Sequence, residues 1–377
     1  MQFHFPTRVI FEAGAISRLG NVVEADFRGK RLLLVTDRGI VRSGIADKVL
    51  SRLPGTPVFE EVEQNPTHGT VNRGGAIARE LGSELIVGLG GGSALDAAKG
   101  IALLATNPGP IEDYEGRSRY HSAPLPVIAI PTTCGTGSEV TWVAVITHTE
   151  RKFKMGVKGP LMFPAVALVD PDLLSTLPRP LVAATGLDAL THAVEAYTAK
   201  PATFMTDVWA RESFFLVLHF IRDAYRNIGG NREAREGMMK GSLMAGLAFG
   251  NSDVGAVHCI AESIGALYNI PHGVANAIFL PFVMEFNLPV SSARYAELAR
   301  LAAIGEPDET LASRRLIQRI KELSREMGIP SFKELGLKQD RFAEIARKSF
   351  ENNSSPSNPR DITADDYLSI LKKAFLE

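Results

Sequence analysis

"ELIVGLGGGSALDAAKG" (84–100) is the stretch on which the fold turns. Its first half is short, apolar and β-branched, as a buried parallel strand reads. Its second half is a helical pattern. Between them stand Gly90, Gly91 and Gly92. A strand that feeds a helix through glycines leaves backbone N–H groups free at a positive helix end, and lets a ligand approach the main chain closely. Pyrophosphate is the natural guest, and a tight turn without a ligand is the bland alternative. Ser93, with Asp96 three residues on, reads as a capping box for that helix.

The alternation repeats on both sides. "RLLLVTD" (31–37), "PVIAIP" (126–131) and "AVALVD" (165–170) are short apolar runs bounded by Gly, Pro or Asp, with helical patterns between several of them. That order predicts a parallel sheet with helices on both faces. The N-terminal "MQFHFPTRVIFEAGAI" alternates like a strand pair. After "LPRPL" (177–181) the texture changes, and its two prolines mark a boundary. The apolar period beyond is helical over 181–199, 203–226, 232–250, 253–268, 273–287, 291–304, 311–327, 339–350 and 364–376, with no convincing strand. The sequence therefore predicts an α/β, Rossmann-like dinucleotide-binding domain over 1–178. An all-α second domain is predicted over 179–377. A chain of 377 residues is long enough for both.

Composition limits the partners. Apolar residues at 45 % and charged residues at 22 % supply an ordinary core. A formal net charge of −1 leaves no basic excess for nucleic acid. The two cysteines, Cys134 and Cys259, make no disulfide framework and point to a reducing compartment. The N-terminus lacks the basic-then-apolar layout of a signal peptide, and no run of about 18 apolar residues appears. The expectation is a cytoplasmic protein with neither nucleic-acid nor membrane partner.

In the usual dinucleotide signature the glycine loop follows the first strand and the acid comes later. Here Asp37 ends the first core strand and the glycine loop follows about fifty residues on. An acid at a strand end accepts hydrogen bonds from a ribose 2′-hydroxyl and repels a 2′-phosphate, which selects NAD over NADP. The bland reading of Asp37 is a helix cap. "PTTCGTGSEVT" (131–141) sets Thr132, Thr133, Thr136, Ser138 and Thr141 beside two glycines at another strand end. Such hydroxyls and amides suit phosphate or nicotinamide.

"GLDALTHAVEAY" (186–197) carries Asp188 and His192 at an (i, i+4) spacing, on one face of an apolar helix. His258 and His272 lie fourteen apart, the second in a Pro–His–Gly turn able to aim an imidazole back at the preceding helix. Polar groups on a buried face are costly unless paired or metallated. Three imidazoles and a carboxylate suit Fe2+ or Zn2+; four separately satisfied residues are the alternative. Glu195 lies near the same face. His4, His68, His121, His148 and His219 read as structural or surface residues.

"GGGSALDAAKG", "PTTCGTGSEVT", "PAVALVDPDLLSTLP", "ATGLDALTHAVEAY" and "NIPHGVANAIFLP" closely resemble the iron-containing, or group III, alcohol dehydrogenases. The resemblance covers nearly the whole chain. It implies NAD contacts from Asp37, Asn65, Gly91, Gly92, Ser93, Asp96, Thr132, Thr136, Thr141 and Lys154. It implies one divalent metal on Asp188, His192, His258 and His272, typically iron and sometimes zinc. It implies an active site in a cleft between domains, with Phe249 lining the substrate channel. It also implies a homodimer or larger assembly. The implied reaction interconverts an alcohol and its aldehyde or ketone by hydride transfer.

The chain departs from that pattern at Glu262, where many members carry a histidine, and at Asp253, where many have a small or apolar residue. Two acids beside the site disfavour an anionic substrate and point to a polyol, amino-alcohol or other polar alcohol. Asp253 as a helix cap is the bland alternative. Cys134 reads as packing, because no neighbouring motif supplies a base. A glycerol-type dehydrogenase stays open. A dehydroquinate-synthase-like lyase would need a pocket rich in Lys and Arg, whereas 186–200 and 246–276 contain only Lys200. A non-catalytic metal-binding protein is the third class.

Overall fold

A computed structural model describes residues 3–377, which divide into two compact units. One comprises His4–Leu177 with Ile228–Met239; the other takes in Pro178–Asn227 and Lys240–Glu377.

The first unit holds every described strand: β1 (Arg8–Phe11), β2 (Leu32–Val35), β3 (Val58–Phe59), β4 (Leu85–Gly90), β5 (Gly116–Arg117), β6 (Val127–Pro131), β7 (Val143–His148), β8 (Phe153–Lys158) and β9 (Val166–Val169). Six form a sheet in the order β1-β9-β6-β4-β2-β3, with every pairing parallel. Its helices are α1 (Leu19–Asp26), α2 (Arg38–Arg42), α3 (Ile45–Leu50), α4 (His68–Glu80) and α5 (Gly92–Thr106). Side chains alternate across the sheet, as a period of two requires. Leu33, Val35, Ile86 and Val127 enter a core with Ile101 of α5 and Ile146 of β7. Leu34, Leu85, Val87, Leu89, Ile128 and Ile130 enter the opposite core with Leu19 and Val49. Each such side chain, fully buried, contributes roughly 1.5–3 kcal/mol.

The expected strand pair at the N-terminus is a single edge strand; Met1 and Gln2 lie outside the described residues. After β1 the chain turns through Gly14 in the left-handed region, and the Asp170 carboxylate accepts from Gly14 N (2.9 Å) and Ile16 N (3.1 Å). That turn ends the alternation before a second strand can form. The antiparallel β7–β8 hairpin was not expected; its half-buried alternation includes His148, Lys154 and Lys158 and lacks a strong apolar run.

The second unit, among the described residues, is helical: α6 (Arg179–Thr198), α7 (Phe204–Asn227), most of α8 (Arg232–Ser252), α9 (Ala256–Tyr268), α10 (His272–Leu301), α11 (Glu309–Glu326), α12 (Phe342–Glu351) and α13 (Ala364–Leu376). Two helices were expected over 273–304, and one is found. Pro281 and Pro289 remove hydrogen bonds inside it, yet Phe279, Leu280, Tyr295 and Leu298 keep its face buried, and burial outweighs the breaks. By length and composition α10 could cross a membrane, but it is mostly buried within this unit, as a core helix is. The two cysteines form no disulfide, and Cys134 is fully buried.

Candidate functional site

In the α/β unit, Asp37 follows β2, the glycine loop follows β4 and the threonine-rich loop follows β6. These three strands are neighbours in the sheet, so the three motifs meet at adjacent carboxyl ends. This is where open parallel sheets bind ligands. Asp37 caps α2, its Oδ1 accepting from Ile40 N at 3.0 Å, so the bland reading describes its contact in this structure. Its Oδ2 nevertheless lies beside Gly90: a Cβ built on that glycine would be 3.3 Å from it. Gly90 has φ +145, and a Cβ on Gly92 would stand 2.6 Å from Thr136 Cγ2, so the backbone needs glycine at both positions.

The capping box is overturned. α5 starts at Gly92 with Gly91 as its N-cap and no side-chain cap, which places Ser93 inside the first turn. Ser93 Oγ instead accepts from Asn65 N at 3.3 Å. Asn65, in the left-handed region, accepts from Lys154 Nζ at 2.8 Å. Asp96 faces inward and accepts from Ser138 Oγ (2.6 Å) and Val145 N (2.9 Å). Ser138 and Thr141 accept from Lys99 Nζ at 2.7 and 3.2 Å, and the carbonyl of Val143 does so at 2.8 Å. Burial brings the Lys99 ammonium down to about 8 against the pull of Asp96 and Glu139. It raises Asp96, and it takes Glu139 to about 7. Lys99 was missed; a lysine amid "DAAKGIALL" was its sequence signal. Thr132 is buried with its N–H on Gly90 O (2.9 Å), while Thr133 and Thr136 press against Gly91 and Gly92.

In the helical unit, α6 is buried on nearly every side, Asp188, His192 and Glu195 included. α10 can begin against α6 only through Gly273, because a Cβ there would fall 2.2 Å from Ala184 O. That close approach brings His272 Nε2 to 3.7 Å from Asp188 Oδ1. Asp188, His258 and His272 each offer a ligand atom within 4.8 Å of the others. His192 stands beside them. Its ring is 4.4 Å from that of His258, its Nδ1 lies 4.0 Å from Asp188 Oδ2, and Phe249 stacks on it at 4.2 Å.

Glu195 backs the cluster. One oxygen accepts from Val257 N at 2.7 Å and the other meets His258 Nδ1 at 2.5 Å. A carboxylate only accepts, so Nδ1 carries the proton and Nε2 presents its lone pair to the cluster. Burial pushes the His258 imidazolium down, but Glu195, Asp188 and Glu262 together hold it above its ordinary value. Sequence reasoning missed Asn276, whose signal was its position four residues after His272 on one helix face. Its Nδ2 lies 2.6 Å from Asp188 Oδ1 and 3.1 Å from both His258 Nε2 and His272 Nε2. Asp188 Oδ1, His258 Nε2 and His272 Nε2 thus crowd one amide with two N–H bonds, and the buried Oδ1 of Asn276 has no partner. The donor set is short of positive charge. A divalent cation fits it.

The departures sit on α9 and the turn before it. Gly255, not Asp253, is the N-cap of α9. Asp253 has φ +103; its oxygens accept from Ser354 Oγ (2.9 Å), Ser357 Oγ (2.7 Å) and Val254 N (2.9 Å). Glu262 Oε2 accepts from Asn352 Nδ2 at 2.6 Å. Both acids therefore hold the polar 352–357 loop.

The family model "iron-containing alcohol dehydrogenase" matches residues 6–171, and that of the family's C-terminal region matches 182–375. An NAD-dependent methanol dehydrogenase of Bacillus methanolicus is 36 % identical, over 99 % of each chain. A 1,3-propanediol dehydrogenase of Klebsiella pneumoniae is 38 % identical, over 98 % of this chain and 97 % of its own. The crystal structure of a 1,3-propanediol oxidoreductase superposes with a TM-score of 0.94 at 38 % identity, covering all of both chains.

Proposed function

The chain belongs to the iron-containing alcohol dehydrogenase family, and we propose that it is an NAD-dependent oxidoreductase interconverting a small polar alcohol and its aldehyde or ketone. The observation that carries the reading is the convergence of Asp188, His258 and His272 with the Glu195 carboxylate behind them. In this reading His192, with Nδ1 4.0 Å from Asp188 Oδ2, would complete the ligand set, and iron is the first choice of metal, zinc the second. When bound, the cation supplies Lewis acidity toward an alcohol or carbonyl oxygen, and NAD accepts or gives the hydride.

The chain's own groups do the rest. Glu195 fixes the His258 tautomer. Asp188 would provide the anionic charge that holds a cation among the imidazoles. Phe249 covers the His192 ring and keeps water from that side. Glu262, steadied by Asn352, offers a carboxylate to a second hydroxyl or an amino group of the substrate. Asp253 positions the loop that brings Asn352 there. Asp37, Asn65, Gly91, Gly92, Ser93, Thr132, Thr133, Thr136 and Lys154 are assigned to NAD, Asp37 as the ribose acceptor. Asp96, Ser138 and Thr141 reach it through the network on Lys99. A cytoplasmic homodimer completes the proposal.

Anaerobic purification with metal analysis, followed by NADH formation across methanol, diols, glycerol and amino-alcohols, tests it. One metal ion per chain and turnover best with the polar alcohols is the expected result. A protein that binds NAD yet oxidises none of them with Fe2+ or Zn2+ refutes it.

A further inference from the structure

We propose that His68, His148 and Glu150 form a second metal site for a transition-metal ion such as Zn2+, distinct from the Asp188 cluster and wholly within the α/β unit. These residues come from the start of α4, the end of β7 and the β7–β8 turn. His68 Nε2 lies 3.3 Å and His148 Nδ1 3.0 Å from the same oxygen of Glu150. One ligand atom from each lies within 4.8 Å of the others. Ligands at about 2.0–2.1 Å around a tetrahedral zinc stand roughly 3.3–3.4 Å apart. Two edges of the triangle lie near that spacing, and the third is no longer than 4.8 Å.

His68 Nδ1 faces the carbonyl of Thr147 at 3.3 Å. The same nitrogen accepts from Thr149 N at 3.4 Å, while Nε2 faces the Glu150 and Glu112 carboxylates, so Nε2 carries the proton that an incoming cation would displace. Both imidazoles are largely covered, with 13 % and 16 % of their side chains exposed, and their rings lie 4.7 Å apart. Glu150 is the exposed arm and can swing onto an ion. Glu112 Oε1 stands 3.5 Å from His68 Nε2 and is the candidate fourth ligand, its other oxygen anchored by Asn72. Two carboxylates facing two imidazoles give the cluster the charge a divalent cation balances.

An ion here would fasten α4 to the hairpin. The backbone already joins them where Thr147 N donates to Pro66 O at 2.8 Å. Asn65 and Lys154, bonded to each other, lie on the same two segments. The site therefore acts as a clamp on the loop that precedes α4.

The test is Zn2+ titration of the metal-stripped full-length protein, followed by calorimetry and by thermal melting. The wild type is expected to take a second equivalent of Zn2+, and its melting temperature to rise further as that equivalent binds. His148→Gln and Glu150→Gln should each weaken the second equivalent by at least the roughly tenfold that losing even an outer partner costs. Glu150 is exposed, so its variant will fold. Asp188→Asn should lose the first equivalent and keep the second, which separates this site from the catalytic one. Absence of any equivalent that survives Asp188→Asn, or a surviving equivalent unmoved by both glutamine variants, overturns the proposal.

Discussion

Replacing Glu195 by Gln tests how the helical unit tunes its imidazoles. The carboxylate presently accepts twice, from Val257 N at 2.7 Å and from His258 Nδ1 at 2.5 Å. Glutamine has the same shape but one acceptor and one donor. Val257 N can only donate, so the amide oxygen must stay with it and the NH2 group must turn to His258. Nδ1 then becomes the acceptor, and the ring proton moves to Nε2, the atom needed for a cation. A hydrogen bond to a charged group contributes about 1.5–3 kcal/mol. Loss of such an outer partner typically weakens a metal site about 10- to 100-fold, or roughly 1.4–2.7 kcal/mol, and the two ranges agree. Competition with a chromophoric chelator for Zn2+ measures the affinity directly, without reference to turnover. A melt of the metal-free protein checks that the fold persists, and imidazole 15N shifts report which nitrogen of His258 carries the proton. Unchanged Zn2+ affinity at the first equivalent, with the proton still on Nδ1, would refute the reasoning.

Gly273→Ala places a Cβ 2.2 Å from Ala184 O, so α10 must move away from α6; urea melts should show a loss of about 1–3 kcal/mol or more, and chelator competition a weaker first metal site. Burial raises the Glu139 carboxyl from 4.5 to about 7, with its own backbone N–H and Lys99 opposing. The folded state therefore binds a proton that the unfolded state has released, and this contribution to stability is full below pH about 4.5 and fades as pH rises through about 7. Glu139→Gln should flatten that slope and gain on the order of 3 kcal/mol relative to wild type between pH 5 and pH 8, read as urea midpoints. Asp37→Ser removes the repulsion toward a 2′-phosphate, so the ratio of kcat/KM for NADP over NAD should rise; an unmoved ratio places the ribose elsewhere. Glu262→His should shift both the order of preference among alcohols and the pH–rate curve, and a variant identical in both would remove Glu262 from the substrate's surroundings.

Much of the fold could be read because its strongest signals are local. β2, β4, β6 and β9 are buried on both faces and so appear as unbroken apolar runs. The β7–β8 hairpin is half-buried, and its alternation is diluted by lysines and a histidine. Asp188 and His192 could be paired from their spacing alone, since four residues bring side chains to one helix face. Asn276 obeys the same rule with His272, but an amide is not an obvious metal-site residue until its contacts are seen. Lys99 shows the opposite limit. Its acceptors on Ser138, Thr141 and Val143 lie some forty residues away, and nothing near position 99 announces them.

The reversed order of acid and glycine loop shows why adjacency in space, not order in sequence, carries the chemistry. A dinucleotide needs an acceptor for its ribose and free amides for its phosphates at neighbouring strand ends. β2 and β4 are consecutive in the sheet in register from Leu32 opposite Leu85, so Asp37 and Gly90 meet whichever strand is made first. The sheet could have placed β6 between them; the acid would then have stood a further strand spacing away, about 4.8 Å, beyond the reach of a ribose held by the same loop. With Asp37 as the proposed ribose acceptor, pairing of β2 with β4 is the step on which NAD selectivity would rest. A disruption of that pairing should reduce cofactor discrimination even with every site residue intact.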